Sequence, residues 1–344
     1  MPYKKVLEYE EKRDFISQYF EWKTTNPKVQ FDTKSKFESI ISVEGFGYTG
    51  SGAVVDLLRE YDDCMVQGRI EPESGNQNVV QDFGEVQLLQ YPGGLVDIDS
   101  IMGVYARRLG DYALKRFASM AYRDTIFNMG YPYRDYYMHF FDSLIADVFR
   151  DVNGSTAAIM PRLKDNLFTI REYTKEEYYV LCQQFLYSIF NQQYTGKQNK
   201  LVLDQLMNST DLGVEYCRNY LPNIKNIVIY RDPRDVYVIL KNLNIQWAAH
   251  ETAEHFIQDM KRRLARLDIN NANSLVLRFE DLIYDYDAIV TKIEQYLELG
   301  EHKRPQKCLD ISISRKNIGI WKTVDNLLHS DFEKIYDAFP NYCY

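Results

Sequence analysis

The stretch Glu44-Gly45-Phe46-Gly47-Tyr48-Thr49-Gly50-Ser51-Gly52-Ala53 sets four glycines between an apolar run and an amphipathic one. Upstream, Ser39–Val43 carries Ile40, Ile41 and Val43 and reads as a short strand. Downstream, Ala53–Tyr61 keeps Val54, Val55, Leu57 and Leu58 apolar and Asp56, Arg59 and Glu60 polar, which predicts a helix. Strand, glycine loop, helix is an order with chemical meaning. Glycines let the backbone turn sharply and bring its N–H groups close to a ligand without Cβ obstruction. A helix beginning near Ser51 adds N–H donors and a partial positive charge, so an anionic group is favoured there. Thr49 and Ser51 can add hydroxyls. A tight strand-to-helix turn with no ligand fits the same residues.

Two nucleotide loops are close to this text and neither matches it. The phosphate-binding pattern GxxxxGK[ST] requires Lys where Ser51 stands, so an ATPase or GTPase would lack its phosphate-bridging charge. Gly45, Gly47 and Gly50 fit the dinucleotide pattern GxGxxG. However, no acidic residue closes a second strand about twenty residues on, and Cys64–Gln67 is the nearest segment.

Outward from the loop, Glu85–Leu89, Lys200–Leu203, Asn226–Tyr230 and Ser274–Leu277 have the length of buried parallel strands. Helical patterns lie between them at Lys175–Phe190, Glu251–Leu267 and Tyr286–Leu297, the last with Ile289, Ile293 and Leu297 at steps of four. The aromatic-rich stretch from Ile101 to about Gln193 reads as a helical insertion without a convincing strand. The expected fold is therefore one α/β domain over residues 1–344, with a mainly parallel five-stranded central sheet and an insertion at about 101–193.

Composition narrows the partners. The chain has 344 residues, 45% hydrophobic and 26% charged, which is ample for a buried core. Lys+Arg number 41 against 49 Asp+Glu, a formal charge of -8, which argues against a broad nucleic-acid coat. Met1–Asp14 mixes charges without an apolar core, and no apolar run reaches the length of a membrane span. Five cysteines spread from Cys64 to Cys343 form no metal-type spacing and suit a reducing compartment. His139, His250, His255, His302 and His329 are scattered, so no metal site is expected. A soluble, acidic, cytoplasmic protein follows, and an anionic ligand would need a local basic cluster.

Such a cluster is available. Arg231-Asp232-Pro233-Arg234-Asp235-Val236 follows the strand Asn226–Tyr230 directly. Pro233 is suited to open a helix with Asp232 as its N-cap, and Arg231 at a strand's carboxyl end points a charged fork into the crevice where α/β sheets bind ligands. An Arg–Asp turn held by a salt bridge is the plainer alternative. Arg315, Lys316 and Lys322 in the tail add to Arg231 and Arg234.

Four segments in order, GYTGSGAVVDLL, IVIYRDPRDVYV, LVLRFEDLIYDYDAIVTKIEQYL and SRKNIGIWK, resemble the sulfotransferases that use 3′-phosphoadenosine 5′-phosphosulfate, in a divergent, bacterial-type branch. The resemblance implies a P-loop-like three-layer sandwich. It implies a 5′-phosphosulfate site at Gly47, Tyr48, Thr49, Gly50, Ser51, Gly52 and Ala53, and a 3′-phosphate site centred on Arg231. A nucleotide-closing segment at about 312–325 would contain Arg315, Lys316, Gly319, Trp321 and Lys322, with Trp321 on the adenine or buttressing the loop. Tyr48 stands where many relatives have Lys, Ile239 where they often have a phosphate-binding Ser, and KNIGIWK is shorter than the usual closing loop. Arg315 or Lys322 could take over the role of the missing Lys.

Sulfuryl transfer needs in-line positioning, stabilised charge on the departing oxygens and a base for the hydroxyl proton; fixed N–H groups and cations can supply the stabilisation without a metal. Glu85 is the first candidate base, with Glu71 and Glu73 behind it; each is equally readable as a solvated surface charge. Asp204 after its strand reads as cleft-facing, toward sugar hydroxyls, or as part of a cap for the following helix, and Glu280-Asp281 in the FEDL element read as structural. Arg162 and Lys164 could meet an anionic acceptor or face solvent. The aromatic insertion suggests a carbohydrate acceptor, because aromatic faces stack on sugar rings. The rival readings are a catalytically silent nucleotide- or glycan-binding protein of the same fold, and a P-loop kinase.

Overall fold

A computed structural model describes residues 21–25, 28–67, 131–149, 167–170, 174–192, 194–204, 214, 217–243, 252–264, 272–324 and 328–344. The first elements are β1 (Ser39–Glu44), α1 (Ser51–Leu58), β2 (Cys64–Gln67), α2 (Tyr131–Leu144), β3 (Ile145–Phe149), β4 (Leu167–Ile170) and α3 (Lys175–Asn191). Then come β5 (Lys200–Asp204), β6 (Ile224–Tyr230), α4 (Pro233–Leu243), α5 (Ala253–Leu264), β7 (Ser274–Arg278), α6 (Phe279–Tyr284) and α7 (Tyr286–Leu297). The tail holds α8 (Ile311–Arg315), a 3₁₀ turn at Ile320–Thr323 and α9 (His329–Ala338). These residues fall into two compact units, 21–36 with 131–192, and 37–67 with 194–344.

The larger unit is built on a five-stranded sheet of order β2-β5-β1-β6-β7, parallel throughout. This is the expected mainly parallel α/β architecture. Parallel strands need both faces covered, and β1 accordingly keeps Ser39 to Val43 buried without a break. Alternation still sorts the side chains. Ile41 and Val43 of β1, Ile227 and Ile229 of β6, Val202 of β5 and Leu277 of β7 share one cluster with α1, α6 and α7. A second cluster joins α4, α5 and α9 through Val236, Tyr237, Phe256, Met260, Phe332 and Ile335.

One buried polar group ties the start of this sheet to the tail. Glu60, fully buried after α1, accepts the backbone N–H groups of Gln306, Cys308 and Leu309 at 3.0, 2.7 and 2.9 Å. Its Oε2 also lies 2.7 Å from His302 Nε2. A carboxylate with this many donors replaces the water it loses on burial.

Two expectations change. The fifth strand among the described residues is β2, at the sheet edge beside β5; Glu85–Leu89 lies outside the described residues. Residues 101–193 were expected to lack strands, yet β3 and β4 pair antiparallel there. Four- and five-residue apolar runs carry too little periodicity to separate strand from helix, and β3 follows α2 without a break. The smaller unit's other described elements are helices, and residues 28–36 run without regular structure. Thr174 and Glu177 cap α3 reciprocally, and the Trp22 indole donates to Asp135 at 3.1 Å.

Candidate functional site

The glycine loop emerges from the carboxyl end of β1, the middle strand of the sheet. Gly47, Tyr48 and Gly50 have φ of 79°, 58° and 107°, so the chain turns through left-handed conformations before α1 begins. Gly50 caps α1 with no side-chain hydrogen bond. A Cβ there would lie 2.4 Å from the Phe279 ring, so glycine is required by both backbone angle and packing. Thr49 is buried, and its Oγ1 accepts the Phe46 N–H at 3.0 Å. Its hydroxyl thus braces the loop from inside, while the Tyr48 side chain is exposed.

Arg231, at the end of β6, reaches this loop. Pro233 opens α4, and Asp232 caps it by accepting the Arg234 N–H at 2.9 Å, as the sequence suggested. The Arg231 guanidinium is buried against the Phe279 ring, 5.1 Å from its centroid. Nη1 donates to the Tyr48 carbonyl at 3.4 Å and Nη2 to the Asn317 carbonyl. Asp235, one turn along α4, lies 3.5 Å from Nη2. Burial lowers the Arg231 pKa, while Asp235 and Glu280 pull it back up. Nε has no hydrogen-bond partner.

Asp235 organises the tail. Its carboxylate accepts the Gly319 and Trp321 N–H groups at 2.8 and 3.1 Å, and Gly319 takes the left-handed φ of 74° that aims both amides inward. Burial raises the Asp235 pKa; those amides and Arg231 oppose it. Glu280 is its neighbour in kind. Oε1 accepts the Asp232 N–H at 2.9 Å, Oε2 has no hydrogen-bond partner, and burial pushes the carboxyl up to about 7.

The fold therefore brings Gly47–Gly50, Arg231 and Asn317–Trp321 to one place. The other cations are arranged differently. Arg234 turns inward onto Asp232 at 2.7 Å, donates to the Tyr344 backbone oxygen at 3.1 Å and covers the Trp321 ring at 3.9 Å. Trp321 also meets Phe332 edge-on. Arg315, Lys316 and Lys322 are exposed, and none is in an ion pair among the described residues. Arg315 lies over Tyr284 and borders a hollow of about 560 Å³ with Tyr284, Tyr286 and Ile311, on residues distinct from the glycine loop. Glu85, Glu71, Glu73, Arg162 and Lys164 lie outside the described residues.

Two contacts were not foreseen. Phe279 packs under both Gly50 and Arg231, and Arg263 of α5 donates to the Phe46 carbonyl at 3.3 Å. Phe279 begins the FEDL element, a usable signal; Arg263 had none, being one of three basic residues closing an amphipathic helix. Among the described residues no three His, Cys, Asp or Glu side chains gather as a metal group, and no helix is long and apolar enough to cross a membrane.

No curated protein sequence matches the chain. Among solved structures it is similar to the sulfotransferase domain of the curacin biosynthetic pathway, at 13% identity and TM-score 0.41, over 90% of this chain and 100% of that one. It is similar to sulfotransferase STF1 from Mycobacterium tuberculosis at 15% identity and TM-score 0.38, covering 96% of this chain and 81% of the other. Retinol dehydratase, solved with androsterone and the inactive cofactor PAP, is similar at 12% identity and TM-score 0.36, over 89% and 82%. Residues 133–302, spanning α2 to the end of α7 and including Arg231 and the FEDL element, match the model of the sulfotransferase family. Through that segment, the chain is similar to the sulfotransferase family.

Proposed function

We propose that the chain transfers a sulfuryl group from 3′-phosphoadenosine 5′-phosphosulfate to a hydroxyl of a carbohydrate acceptor. The observation that carries this reading is the convergence on Arg231. One guanidinium at a strand's carboxyl end bonds both the glycine loop, at Tyr48, and the basic tail segment, at Asn317. A nucleotide with anionic groups at both ends suits such a site: the glycine loop and the N-terminus of α1 for the 5′ group, Arg231 for the 3′-phosphate.

In the proposed reaction the acceptor oxygen forms the new S–O bond as the bond from sulfur to the bridging oxygen breaks. The bridging oxygen leaves with the electron pair on adenosine 3′,5′-bisphosphate. The hydroxyl proton passes to a base, for which Glu85 is the candidate, with Glu71 and Glu73 as alternatives. Loop N–H groups and the α1 dipole stabilise charge on the departing phosphate. Exposed Arg315, Lys316 and Lys322 add positive charge beside Asn317–Trp321 in a chain whose total is -8. The carbohydrate acceptor rests on the aromatic content of residues 101–193, and a cytoplasmic location on the cysteine pattern.

Calorimetry with adenosine 3′,5′-bisphosphate against ATP–Mg²⁺ tests the donor. Tighter binding of the bisphosphate is expected; its failure to bind, or a preference for ATP, overturns the proposal. Labelled-sulfate transfer to a glycan panel then tests the acceptor. Bisphosphate binding without transfer to any hydroxyl would point to a silent binder, and Glu85→Ala with unchanged turnover would remove Glu85 as the base.

A further inference from the structure

The carbonyls of the glycine loop are held by two arginines, one from α5 and one from the end of β6. Arg263 Nη1 of α5 donates to Phe46 at 3.3 Å, and Arg231 Nη1 donates to Tyr48 at 3.4 Å. A trans peptide is planar, so its N–H points opposite to its carbonyl. Fixing the Phe46 and Tyr48 carbonyls therefore turns the N–H groups of Gly47 and Thr49 away from the two guanidiniums. The peptide between these pairs is set by positive φ at Gly47 and Tyr48. Successive N–H groups directed to one side of a loop form an anion-binding concavity.

Arg263 is itself held in place. Its Nε donates to Asp259 Oδ2 at 2.7 Å, one turn back on α5, and the side chain is only 30% exposed. Phe46 packs against the α4–α5–α9 cluster, so the backbone that Arg263 grips is anchored on its side-chain end as well. The Phe46 N–H is closed by Thr49 inside the loop. With its amide and its carbonyl both engaged, Phe46 has no freedom to flip either flanking peptide.

We propose that Arg263 is a positioning residue of the anion-binding loop: by holding the Phe46 carbonyl it aims the Gly47 N–H at the 5′ anionic group of the bound nucleotide. This rests on the reading of the loop as a nucleotide 5′ site. Arg263 touches no reacting atom in this role; it acts through the Phe46–Gly47 peptide. A charged donor on a carbonyl also polarises the peptide and strengthens its N–H as a donor.

The test compares adenosine 3′,5′-bisphosphate with adenosine 3′-monophosphate, which lacks the 5′ group, by calorimetry on the full chain. Wild type should prefer the bisphosphate. Arg263→Met should lose about tenfold in bisphosphate affinity, the scale of one charge-assisted hydrogen bond, and leave monophosphate affinity unchanged. Arg263→Lys should recover part of the loss. Asp259→Asn, which keeps the arginine but loosens it, should shift the same ratio less, and a thermal melt confirms folding of each. An unchanged ratio in a folded Arg263→Met protein that still prefers the bisphosphate overturns the positioning role alone. Equal losses for both nucleotides would make Arg263 merely structural and also overturn it. A wild type indifferent to the 5′ group overturns the functional reading, and the positioning role with it.

Discussion

Asp235 Oδ2 accepts the backbone N–H of Gly319 at 2.8 Å across 84 positions of sequence, while the same carboxylate lies 3.5 Å from Arg231 Nη2. One buried acid thus joins the proposed phosphate-binding arginine to the tail segment that borders it. The Arg231 bond to the Asn317 carbonyl adds a direct link between the two.

Asp235→Asn tests this coupling. The neutral amide cannot balance Arg231 and accept two N–H groups as well. Hydrogen exchange at Gly319 and Trp321 should quicken, and bisphosphate affinity should fall about tenfold. Unaltered exchange at both amides would rule out the link.

Arg231→Lys keeps the charge but loses the fork that reaches Tyr48 and Asn317 together. Affinity for adenosine 3′,5′-bisphosphate should drop about tenfold or more, with a smaller loss for adenosine 5′-monophosphate from the freed Tyr48 carbonyl. Equal losses for the two nucleotides would argue against a 3′-phosphate role.

Gly50→Ala combines a left-handed backbone angle with a Cβ 2.4 Å from the Phe279 ring. Denaturant melts should show a loss of about 2 kcal/mol or more. Adding Phe279→Leu should restore the steric share and leave the backbone share. A silent Gly50→Ala would mean that the loop relaxes freely.

Glu60→Ala removes the acceptor for three backbone amides, of which that of Leu309 is buried, and the partner of His302. A stability loss of about 3 kcal/mol or more is expected from the orphaned donors. Chemical denaturation provides the measurement, and a change below about 1 kcal/mol would show that water replaces the carboxylate without difficulty.

Glu280 gives stability a pH dependence of defined sign. Burial holds its carboxyl at about 7 in the folded chain against an ordinary 4.5. Below 4.5 both folded and unfolded chains carry the proton. Between 4.5 and about 7 only the unfolded chain releases it, so this group lowers stability as pH rises, by about 3 kcal/mol over the window. Glu280→Gln keeps an acceptor for the Asp232 N–H and should therefore gain on wild type across that interval. Parallel stability curves for the two proteins would refute the assignment.

The sequence by itself determined the features that are local. An apolar run, four glycines and an amphipathic run specify β1, the loop and α1, because backbone freedom and periodicity act over a few residues. Pro233 after Asp232 specifies the start of α4 for the same reason. Cys64–Gln67, the nearest candidate for a second strand, carries little pattern in four residues at a sheet edge, and β5 supplies its pairing from far along the chain. The destinations of the charges were decided only by tertiary structure. Arg231, Arg234, Arg315, Lys316 and Lys322 looked alike as a basic set, yet Arg231 meets the loop, Arg234 is enclosed by Asp232 and Trp321, and the other three are exposed. Arg263 reaches a loop 217 positions away, a contact that no local pattern encodes. A side chain's type is written in the sequence, but its partner is chosen by packing of distant elements.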